Sequence, residues 1–576
     1  MFSWLRNLPI PGTALRDTWR GGYSLANLRR DIMAGLTIGI VAVPLSMALA
    51  IATGVPPQHG LYTAIVAGAI IALSGGSRFN VSGPTAAFVV ILFPIVQQFG
   101  LGGLLIATFM AGLILVLMGL SRLGVLIQYV PYPVILGFTA GIAVVIATLQ
   151  LPDFLGLELP SLGQHYLENL GTILGGLNTL TPIELALGLG SLLLMLFWPR
   201  LRTPIPAPLV GLVVAAVAAW LLARWAGLEV ETIASRFSWQ TDTASGSGIP
   251  PIAPSFIPPW QLPGPDGQPL VIDAALIRAL IGPAFAIAML AAIESLLCAV
   301  ISDGMTRTRH DPNAELIGQG LGNMVVPFFG GITATAAIAR TATNIRSGAH
   351  SPIAAVVHAV VVLLAVVAIA GLLGMVPMAA LAALLFIVAW NMAELRHVVH
   401  TLRSAPAGDI AVLLTCFGLT VLIDMVVAVA VGIALAAALF IHSMVRLSEA
   451  RRVEQGCTEE ALPRDVVVYD LNGPLFFAVA EKALSSLRVV DPGVRLVVLD
   501  MHDVPSIDGT ALGALRGLAE EMERTGIALI FAGLSAQQVL ALRRAGIRKC
   551  QGQLGFCKDL RHACRVAQRW CGQTQG

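Results

Sequence analysis

Two short segments of small and polar residues interrupt an otherwise apolar chain, and their residue types could bind an anion. The first runs from Arg78 to Phe88 (RFNVSGPTAAF) and the second from Gly330 to Arg340 (GGITATAAIAR). Each is predicted to be a short extended stretch that leads into a helix, whose unbonded N–H groups attract negative charge. Pro84 is expected at the first helical position, where a missing N–H costs nothing. The matched pair predicts one anion site between two helix amino termini.

The backbone N–H groups expected to face the ligand are those of Thr85, Ala86, Ala87, Ala336, Ala337 and Ile338. Arg340 lies about one turn beyond the second helix start, so its guanidinium would add a fixed positive charge to the site. Two alternatives stand beside this interpretation. The small residues could merely permit close helix packing, and Arg340 could pair with Glu294 or extend toward the cytoplasm.

Glu294 lies deep inside the apolar run from Leu276 to Ile301, where an ionisable group is costly enough to indicate function. Because burial disfavours a charged carboxylate, we expect Glu294 to take up a proton together with the anion. This predicts proton-coupled symport. The alternative is a structural glutamate that hydrogen-bonds the unwound backbone of the second broken segment.

Other polar residues are expected to serve packing. A set at helical spacing should hold neighbouring spans together and not touch substrate: Asn313, Glu315, Gln319 and Asn323. His358, alone in an apolar span, is expected to be packed or hydrogen-bonded. Cys550, Cys557, Cys564 and Cys571 recur every seventh residue, which would place the last three on one helical face and matches no zinc ligand set. With no partnered nucleophile, phosphate loop or metal cluster, the sequence predicts neither an enzyme nor a bound cofactor.

Composition decides the class of protein. Of the 576 residues, 56% are hydrophobic and 12% are charged, and the mean hydropathy is +0.81, so most of the chain must lie in a lipid bilayer. A net charge of +2 is too small to indicate nucleic acid. The predicted parts are an amino-terminal segment over 1–30, a membrane domain over 31–445, a linker over 446–464 and a soluble domain over 465–571.

Apolar runs long enough for a bilayer, together with the two broken segments, predict fourteen spans. They start near Ile32, Gly60, Val81, Leu104, Val125, Ile183, Pro206, Leu276, Ala314, Thr333, Ile353, Met378, Ile410 and Met425. Each predicted inner loop carries arginine, whereas the short outer loops near Pro56, Gly100 and Gly374 carry none. The first thirty residues read as a cytoplasmic segment and not as a cleavable signal. We therefore expect both termini in the cytoplasm.

An odd number of spans in each half makes the halves enter the membrane from opposite sides, which is the arithmetic of an inverted repeat. Repeat one covers about 31–227 and repeat two about 276–445, and the segment from Leu228 to Asp273 is expected to be an irregular outer excursion. The tail alternates buried strands (Val466–Leu471, Val494–Asp500, Ile527–Ala532) with helical patterns (Phe477–Leu487, Thr510–Arg524). It is predicted to be an α/β layer domain.

Long runs in the chain resemble the SulP family of anion transporters, the relatives of pendrin and prestin. They are Asp31–Ala50, Gly54–Tyr62 and Asn313–Asn323. Within that family, Gly75–Val90 and Ala292–Val300 most resemble the DauA branch of bacterial four-carbon dicarboxylate transporters. The run Leu499–Leu512 resembles the hallmark loop of a STAS domain, the module expected after a SulP membrane part.

The resemblance implies a core domain (spans one to four and eight to eleven) that moves against a gate domain, in a homodimer of a bacterial inner membrane. The substrate would lie between the third and tenth spans, beside the first span. The implied binding residues are Leu45, Ser46, Leu49, Thr85, Ala86, Ala87, Phe88, Ala337, Ile338, Ala339 and Arg340. Glu294 corresponds to a family carboxylate tied to the coupling cation.

The main hypothesis is thus proton-coupled uptake of dicarboxylates such as succinate, fumarate or aspartate. The alternatives are bicarbonate or sulfate transport, with a proton or sodium ion, or a passive anion channel or STAS-linked sensor. The STAS domain could bind a cytoplasmic protein. In related soluble members a hydroxyl in this loop is phosphorylated; here Gly509 replaces one usual serine and leaves Thr510, so an Asp508 or Thr510 helix cap is favoured over phosphorylation.

Overall fold

The computed structural model describes residues 10–127, 130–160, 162–163, 165–203, 205–240, 244–264, 267–447, 449–453, 463, 465–475 and 493–573. The chain forms two compact units, Met1–Ile433 and Ala434–Gly576. Most of the predicted linker and the whole predicted helix from Phe477 to Leu487 lie outside the described residues.

The helices up to the end of the membrane part are α1 (Thr13–Arg20), α2 (Leu25–Ala52), α3 (Pro57–Ser74), α4 (Ala86–Leu120), α5 (Gly124–Ile127), α6 (Tyr132–Leu155), α7 (Tyr166–Gly175), α8 (Pro182–Phe197), α9 (Ala207–Leu221), α10 (Ile233–Arg236), α11 (Ala274–Thr306), α12 (Pro312–Val325), α13 (Ile338–Arg346), α14 (Ile353–Leu373), α15 (Met378–Met392), α16 (Leu395–Ser404), α17 (Ala407–Leu422) and α18 (Met425–Leu447). After them come α19 (Gly509–Arg524), α20 (Ala536–Arg544) and α21 (Leu560–Gln573).

The strands are short in the membrane part and longer in the tail. They are β1 (Ser82–Gly83), β2 (Ser238–Gln240), β3 (Ser245–Ser247), β4 (Thr335–Ala336), β5 (Glu449–Arg452), β6 (Val466–Asn472), β7 (Leu496–Asp500), β8 (Ala528–Ala532) and β9 (Leu554–Cys557).

Within the described residues, nine helices are long and apolar enough to cross a bilayer. One of them, α4, counts as two spans because Gly100 takes φ 69° and ψ −174° and breaks it. The shorter helices α3, α12, α13 and α17 complete two sets of seven, so the fourteen predicted spans are confirmed. The fifth span begins at Tyr132, later than the predicted Val125, because Pro131 and Pro133 exclude a helix interior before that point.

The membrane helices pack as two groups. The core group contains α2, α3, α4, α11, α12, α13 and α14, and the gate group contains α6, α8, α9, α15 and α17. Glycine permits the closest contact: a Cβ built on Gly39 of α2 would lie 2.5 Å from Val361 of α14. Such small residues let membrane helices approach at backbone distance.

The long segment between the repeats is more regular than predicted. A hairpin of β2 and β3 follows α10, and Arg236 of α10 forms ion pairs with Asp153 and Glu231. Burial alone would lower the pKa of the Arg236 guanidinium, but the hydrogen bonds and charges of Glu231 and Asp153 raise it. The ion pair with Asp153 connects this segment to the end of α6.

The second unit contains a five-stranded sheet in the order β5-β6-β7-β8-β9. β5 is antiparallel to β6, and the other neighbours are parallel. One face packs on α19 and α20, and the other packs on α21. The predicted α/β layer architecture is confirmed, with each of the three predicted strands found within two residues of its expected start.

The hallmark loop ends in a helix cap, as favoured by the sequence. The Asp508 side chain accepts a hydrogen bond of 2.8 Å from the Ala511 N–H, while Thr510 is exposed. Burial raises the pKa of the Asp500 carboxyl at the end of β7. The shared helical face predicted for the cysteines is wrong for Cys557, which ends β9; only Cys564 and Cys571 lie on α21.

Candidate functional site

The two broken segments meet through a short antiparallel ladder. Ser82 of β1 pairs with Ala336 of β4, and Gly83 pairs with Thr335. Each strand leads into a helix, since α4 begins at Ala86 and α13 begins at Ile338. Two helix amino termini from opposite repeats are thereby held at one place, which is the arrangement of an anion site.

The capping residues differ from the prediction. Pro84 does not begin α4 but precedes the extended N-cap residue Thr85, whose φ is −124° and ψ is 155°. The Pro84 carbonyl instead accepts a hydrogen bond from Arg340. In the second segment Ala337 is not free as expected, because its N–H donates to the Val81 carbonyl at 3.1 Å.

In the second segment the unbonded donors therefore lie slightly further along the helix than predicted. Among the described residues, no partner accepts from the backbone N–H groups of Ala86, Ala87, Ile338, Ala339 and Arg340. The side chain of Ile338 is 39% exposed, whereas Ala87 and Phe88 are buried at 1%. The accessible part of the paired helix ends is therefore the first turn of α13.

Arg340 joins the two segments. Its side chain is 2% exposed, and its Nη2 donates to Pro84 of the other repeat. Its Nε and Nη1 are buried and have no hydrogen-bond partner within the described chain, so the hydrogen-bonding capacity of the guanidinium is only partly used. Arg340 forms no ion pair with Glu294 and does not extend to the protein surface.

Glu294 lies beside the first helix end. The Thr85 hydroxyl donates to Glu294 Oε2 at 3.0 Å, which joins α11 to the N-cap of α4. The alternative, in which Glu294 hydrogen-bonds the backbone of the second broken segment, is therefore not observed among the described residues. A carboxylate and a guanidinium thus flank the helix ends without pairing with each other.

One face of α12 satisfies the irregular backbone, and the polar residues on it are those that were predicted to hold neighbouring spans together. Glu315 Oε2 accepts from the Gly76 and Ser77 N–H groups at 2.9 and 3.0 Å, and its Oε1 accepts from Asn80 Nδ2 at 2.8 Å. Gln319 Nε2 donates to both Glu315 and Ser82. Non-helical backbone at membrane depth requires such partners.

The second segment has its own supports. Asn323 exchanges two hydrogen bonds of 2.8 Å with the backbone of Ala334. The His59 ring lies against the Gly330 carbonyl, and Thr63 donates to Ile332 at 3.1 Å. Sequence analysis missed His59 and Thr63, although polar residues on an apolar span opposite a glycine-rich break were a usable signal.

The residues implied on the first span are mostly enclosed. Ser46 and Leu49 are 0% and 2% exposed, and Leu45 is half-buried. A Cβ on Gly60 of α3 would clash with the Ser46 carbonyl, so this part of α2 packs closely on α3. His358 is buried, and neither ring nitrogen has a hydrogen-bond partner in the described chain, so it is packed.

A cavity of about 460 Å³ opens between the core and gate groups. It begins about one turn beyond the start of α4, at Val90, and includes Pro283 of α11, Leu149 of α6 and Thr420 of α17. The helix ends therefore lie next to a cleft between the two groups of helices.

Comparisons with known proteins identify the family. Residues 28–416 match the sulfate permease family, and residues 461–556 match the STAS domain. The chain is 39% identical over 531 residues to the putative sulfate transporter YvdB of Bacillus subtilis, covering 91% of this chain and 95% of that protein. It is 31% identical over 526 residues to the bicarbonate transporter BicA of Picosynechococcus, covering 86% and 87%.

Solved structures agree on the fold. A structure of SLC26A9 superposes with a TM-score of 0.83 at 18% identity, covering 98% of this chain and 94% of that one. The transmembrane domain of a cyanobacterial BicA superposes with a TM-score of 0.60 at 27% identity, covering 72% and 98%. The chain therefore belongs to the sulfate permease family of anion transporters and carries a STAS domain after its membrane part.

Proposed function

We propose that this anion transporter works by alternating access, in which the core group carries the anion past the gate group. The observation that supports this most is the joining of the two helix ends by the β1–β4 ladder and Arg340. Because these contacts hold the ends together, the site would move as one body. The cleft at Val90 would then open to one side of the membrane at a time.

The proposed substrate is a small oxyanion such as bicarbonate or sulfate. Among the described residues, Arg340 is the one cationic side chain that contacts either helix end. A single fixed charge with five backbone donors suits a compact anion, since backbone dipoles recognise charge more than carbon skeleton. The names of two similar proteins, a putative sulfate transporter and a bicarbonate transporter, support the same class.

A four-carbon dicarboxylate is the second candidate. It is supported by the runs Gly75–Val90 and Ala292–Val300, which resemble the dicarboxylate branch. The free N–H groups form two sets, at Ala86 and at Ile338, so each set could receive one carboxylate. The second carboxylate would then lack a cationic partner, which is the reason for placing this candidate second.

Glu294 is proposed to couple transport to a cation. Its carboxylate accepts a hydrogen bond from Thr85, so a proton or sodium ion bound there would be sensed at the start of α4. We favour the proton because a carboxylate at this depth is more readily kept neutral than charged. The co-transported cation would be the one accessory group; no resident cofactor is proposed.

Transport by the purified protein in proteoliposomes tests these proposals. Labelled sulfate and labelled succinate would be offered at two pH values, with unlabelled bicarbonate as competitor. We expect sulfate to accumulate above equilibrium when a proton gradient points inward, and bicarbonate to reduce its uptake. Saturable uptake of succinate alone would instead establish the second candidate.

Glu294→Gln separates coupling from binding. We expect exchange of sulfate across the membrane to continue while accumulation and its pH dependence are lost, because the amide cannot take up a proton. Glu229→Gln, at an exposed position outside the spans, is the matched control and should keep both. If Glu294→Gln still accumulated sulfate, Glu294 would not be the coupling residue. If accumulation by the wild type required sodium and no proton gradient, sodium would be the coupling ion instead of the proton.

The same assay tests the other classes of protein. Accumulation of sulfate above equilibrium would exclude a passive channel, and any transport of sulfate would exclude a pure sensor.

The remaining proposals concern assembly. We place the protein as a homodimer in a bacterial inner membrane with both termini in the cytoplasm, as the arginine-rich inner loops and the bacterial relatives support. The STAS unit is proposed to receive a cytoplasmic protein. Thr510 is its exposed candidate for phosphorylation, at the start of α19 where a phosphate is electrostatically tolerated.

A further inference from the structure

Four arginines surround a pocket away from the transport site. The pocket has a volume of about 320 Å³ and lies where α1 packs against the core. Arg16 and Arg20 come from α1, Arg78 from the loop before β1, and Arg309 from the loop before α12. These loops are among those that the arginine distribution assigns to the cytoplasmic side.

The four guanidinium groups have no partner among the described side chains. Within the described chain none of them forms an ion pair or donates a side-chain hydrogen bond. Arg16 and Arg20 are four residues apart on one helix, where like charges repel and weaken the helix. Such a concentration of unpaired positive charge indicates an anion that is supplied from outside the chain.

Two carboxylates also line the pocket, and they offset only part of this charge. Asp311 is the N-cap of α12, and its Oδ1 accepts from the Asn313 and Ala314 N–H groups. Asp17 lies on α1 between the two arginines of that helix. Four arginines against two aspartates leave the lining net positive.

His310 adds a buried donor or acceptor without a partner. Its side chain is 5% exposed and its Nδ1 lies 2.7 Å from Asp303 Oδ2, which orients the ring. Its Nε2 is buried and has no hydrogen-bond partner among the described residues. An anion oxygen in the pocket would supply that partner if Nε2 carries a proton.

The surroundings of α1 suit a membrane surface. Ala14 and Thr18 face the protein, while Trp19 is 65% exposed and Leu25, at the start of α2, is 81% exposed. Trp at this position is typical of the interface between headgroups and acyl chains, where arginines also meet anionic lipids. Apart from His310 the described residues of the lining include no aromatic ring, so they offer a nucleotide base nothing on which to stack.

We infer that this pocket binds a phosphate group, either that of an anionic lipid headgroup or free inorganic phosphate. Binding of that phosphate would also affect the proposed transport site, because the backbone of the pocket wall continues into β1. Gly76, in the pocket wall, receives a hydrogen bond from the Asp311 N–H and donates to Glu315, and β1 begins six residues later. A bound phosphate would therefore stabilise the loop that leads into β1.

Binding to the purified full-length protein tests the inference. The probes are phosphatidylglycerol, phosphatidylcholine and inorganic phosphate, added to detergent-solubilised protein, with native mass spectrometry and thermal unfolding as readouts. The R16Q/R20Q double variant removes the two α1 charges. R396Q/R403Q, on α16, is the matched control with the same change of charge on arginines outside the pocket.

We expect phosphatidylglycerol to bind and raise the unfolding temperature of the wild type and the control. In R16Q/R20Q the affinity should fall about tenfold or more. R16K/R20K should recover part of it, and a monodisperse gel-filtration profile confirms that each variant folds. Stabilisation by inorganic phosphate alone, lost in R16Q/R20Q, would support the site with free phosphate as its ligand. Equal effects of phosphatidylcholine and phosphatidylglycerol, or equal binding by R16Q/R20Q and the control, would overturn the inference.

Discussion

Arg340 serves both broken segments with one guanidinium group. Nη2 donates to Pro84 of the first repeat and Nη1 lies against Gly83 of the same segment, while the side chain itself comes from the first turn of α13 in the second repeat. A buried guanidinium keeps its charge at the site, and its planar fork can hold a protein carbonyl and a ligand oxygen at once. In the proposed site, binding of the anion and joining of the repeats would therefore depend on the same side chain.

Replacing Arg340 should weaken anion binding more than it weakens the fold. In Arg340→Ala the helix ends lose their fixed charge, so we expect the KM for sulfate to rise about tenfold or more. Arg340→Lys keeps the charge but cannot donate in two directions from one plane. Its KM for sulfate should therefore lie between those of the wild type and Arg340→Ala. Concentration dependence of uptake in proteoliposomes measures this. An unchanged KM in Arg340→Ala, with Arg396→Ala as the surface control, would contradict the role.

Residue type and depth were enough to single out Arg340 and Glu294 from sequence. The direction of each side chain was not readable, because their partners are 256 and 209 positions away. Glu294 was weighed as a partner of the second segment or of Arg340, yet it meets Thr85. The identity of a partner at such separation depends on how the repeats pack, which no local pattern encodes.

At the scale of elements, β1 and β4 are held from both sides. Arg340 lies against Gly83 of β1. From α12, Gln319 donates to Ser82 of β1, and Asn323 accepts from the Ala334 N–H just before β4. Sequence periodicity predicted α12 as a support, because its polar residues fall on one helical face. The shift of α4 by two residues past Pro84 was not predicted, since it results from the hydrogen bond that Arg340 makes to the Pro84 carbonyl.

A methyl group on Gly83 should displace Arg340. A Cβ there would lie 2.6 Å from Arg340 Nη1, so Gly83→Ala forces the guanidinium to move. We expect a several-fold loss of sulfate uptake with little change in the unfolding temperature, because the displaced group is the end of a flexible side chain. Gly371→Ala is the control, since its Cβ would meet no atom within 4 Å. Full uptake by Gly83→Ala would show that Arg340 need not occupy this position.

Glu315 should matter for folding instead of for binding. It is 1% exposed and accepts hydrogen bonds from four donors. Glu315→Ala leaves the Gly76 and Ser77 N–H groups unpaired in a buried place and removes one acceptor each from Asn80 and Gln319, which should lower the free energy of unfolding by at least about 3 kcal/mol. Thermal unfolding in detergent measures the loss. Asn313→Ala removes one bond to the Gly124 N–H and should cost about 1 kcal/mol; equal losses in the two variants would contradict the prediction.

At the scale of the whole molecule, the spans were the most predictable part. A bilayer imposes length and apolar character on most of the spans, so apolar runs in the sequence indicate where they lie, whereas the nine-residue α13 was located by the small residues that interrupt such a run. The exceptions have local causes, such as the prolines before α6. The hairpin of β2 and β3 was missed because its strands are three residues long and carry little hydrophobic pattern.

Cys550 can report the orientation of the whole chain. It is the exposed cysteine of the described residues, in the STAS unit. In a Cys457→Ser background we expect an impermeant maleimide to label Cys550 in inside-out vesicles but not in right-side-out cells, because the arginine-rich loops predict a cytoplasmic location for that unit. Cys550→Ala is the control for specificity. Labelling from outside the cell would reverse the proposed topology.

The ladder between β1 and β4 also has a consequence for biogenesis. Each strand is two residues long, and its partner is about 250 positions away on the chain, so neither can form until both repeats are inserted. A nascent chain that ends after the first repeat carries an unmatched edge inside the bilayer, where unpaired backbone groups are costly. The proposed anion site would consequently be absent from any chain that stops before β4, and an assay for anion binding would report that the two repeats have paired.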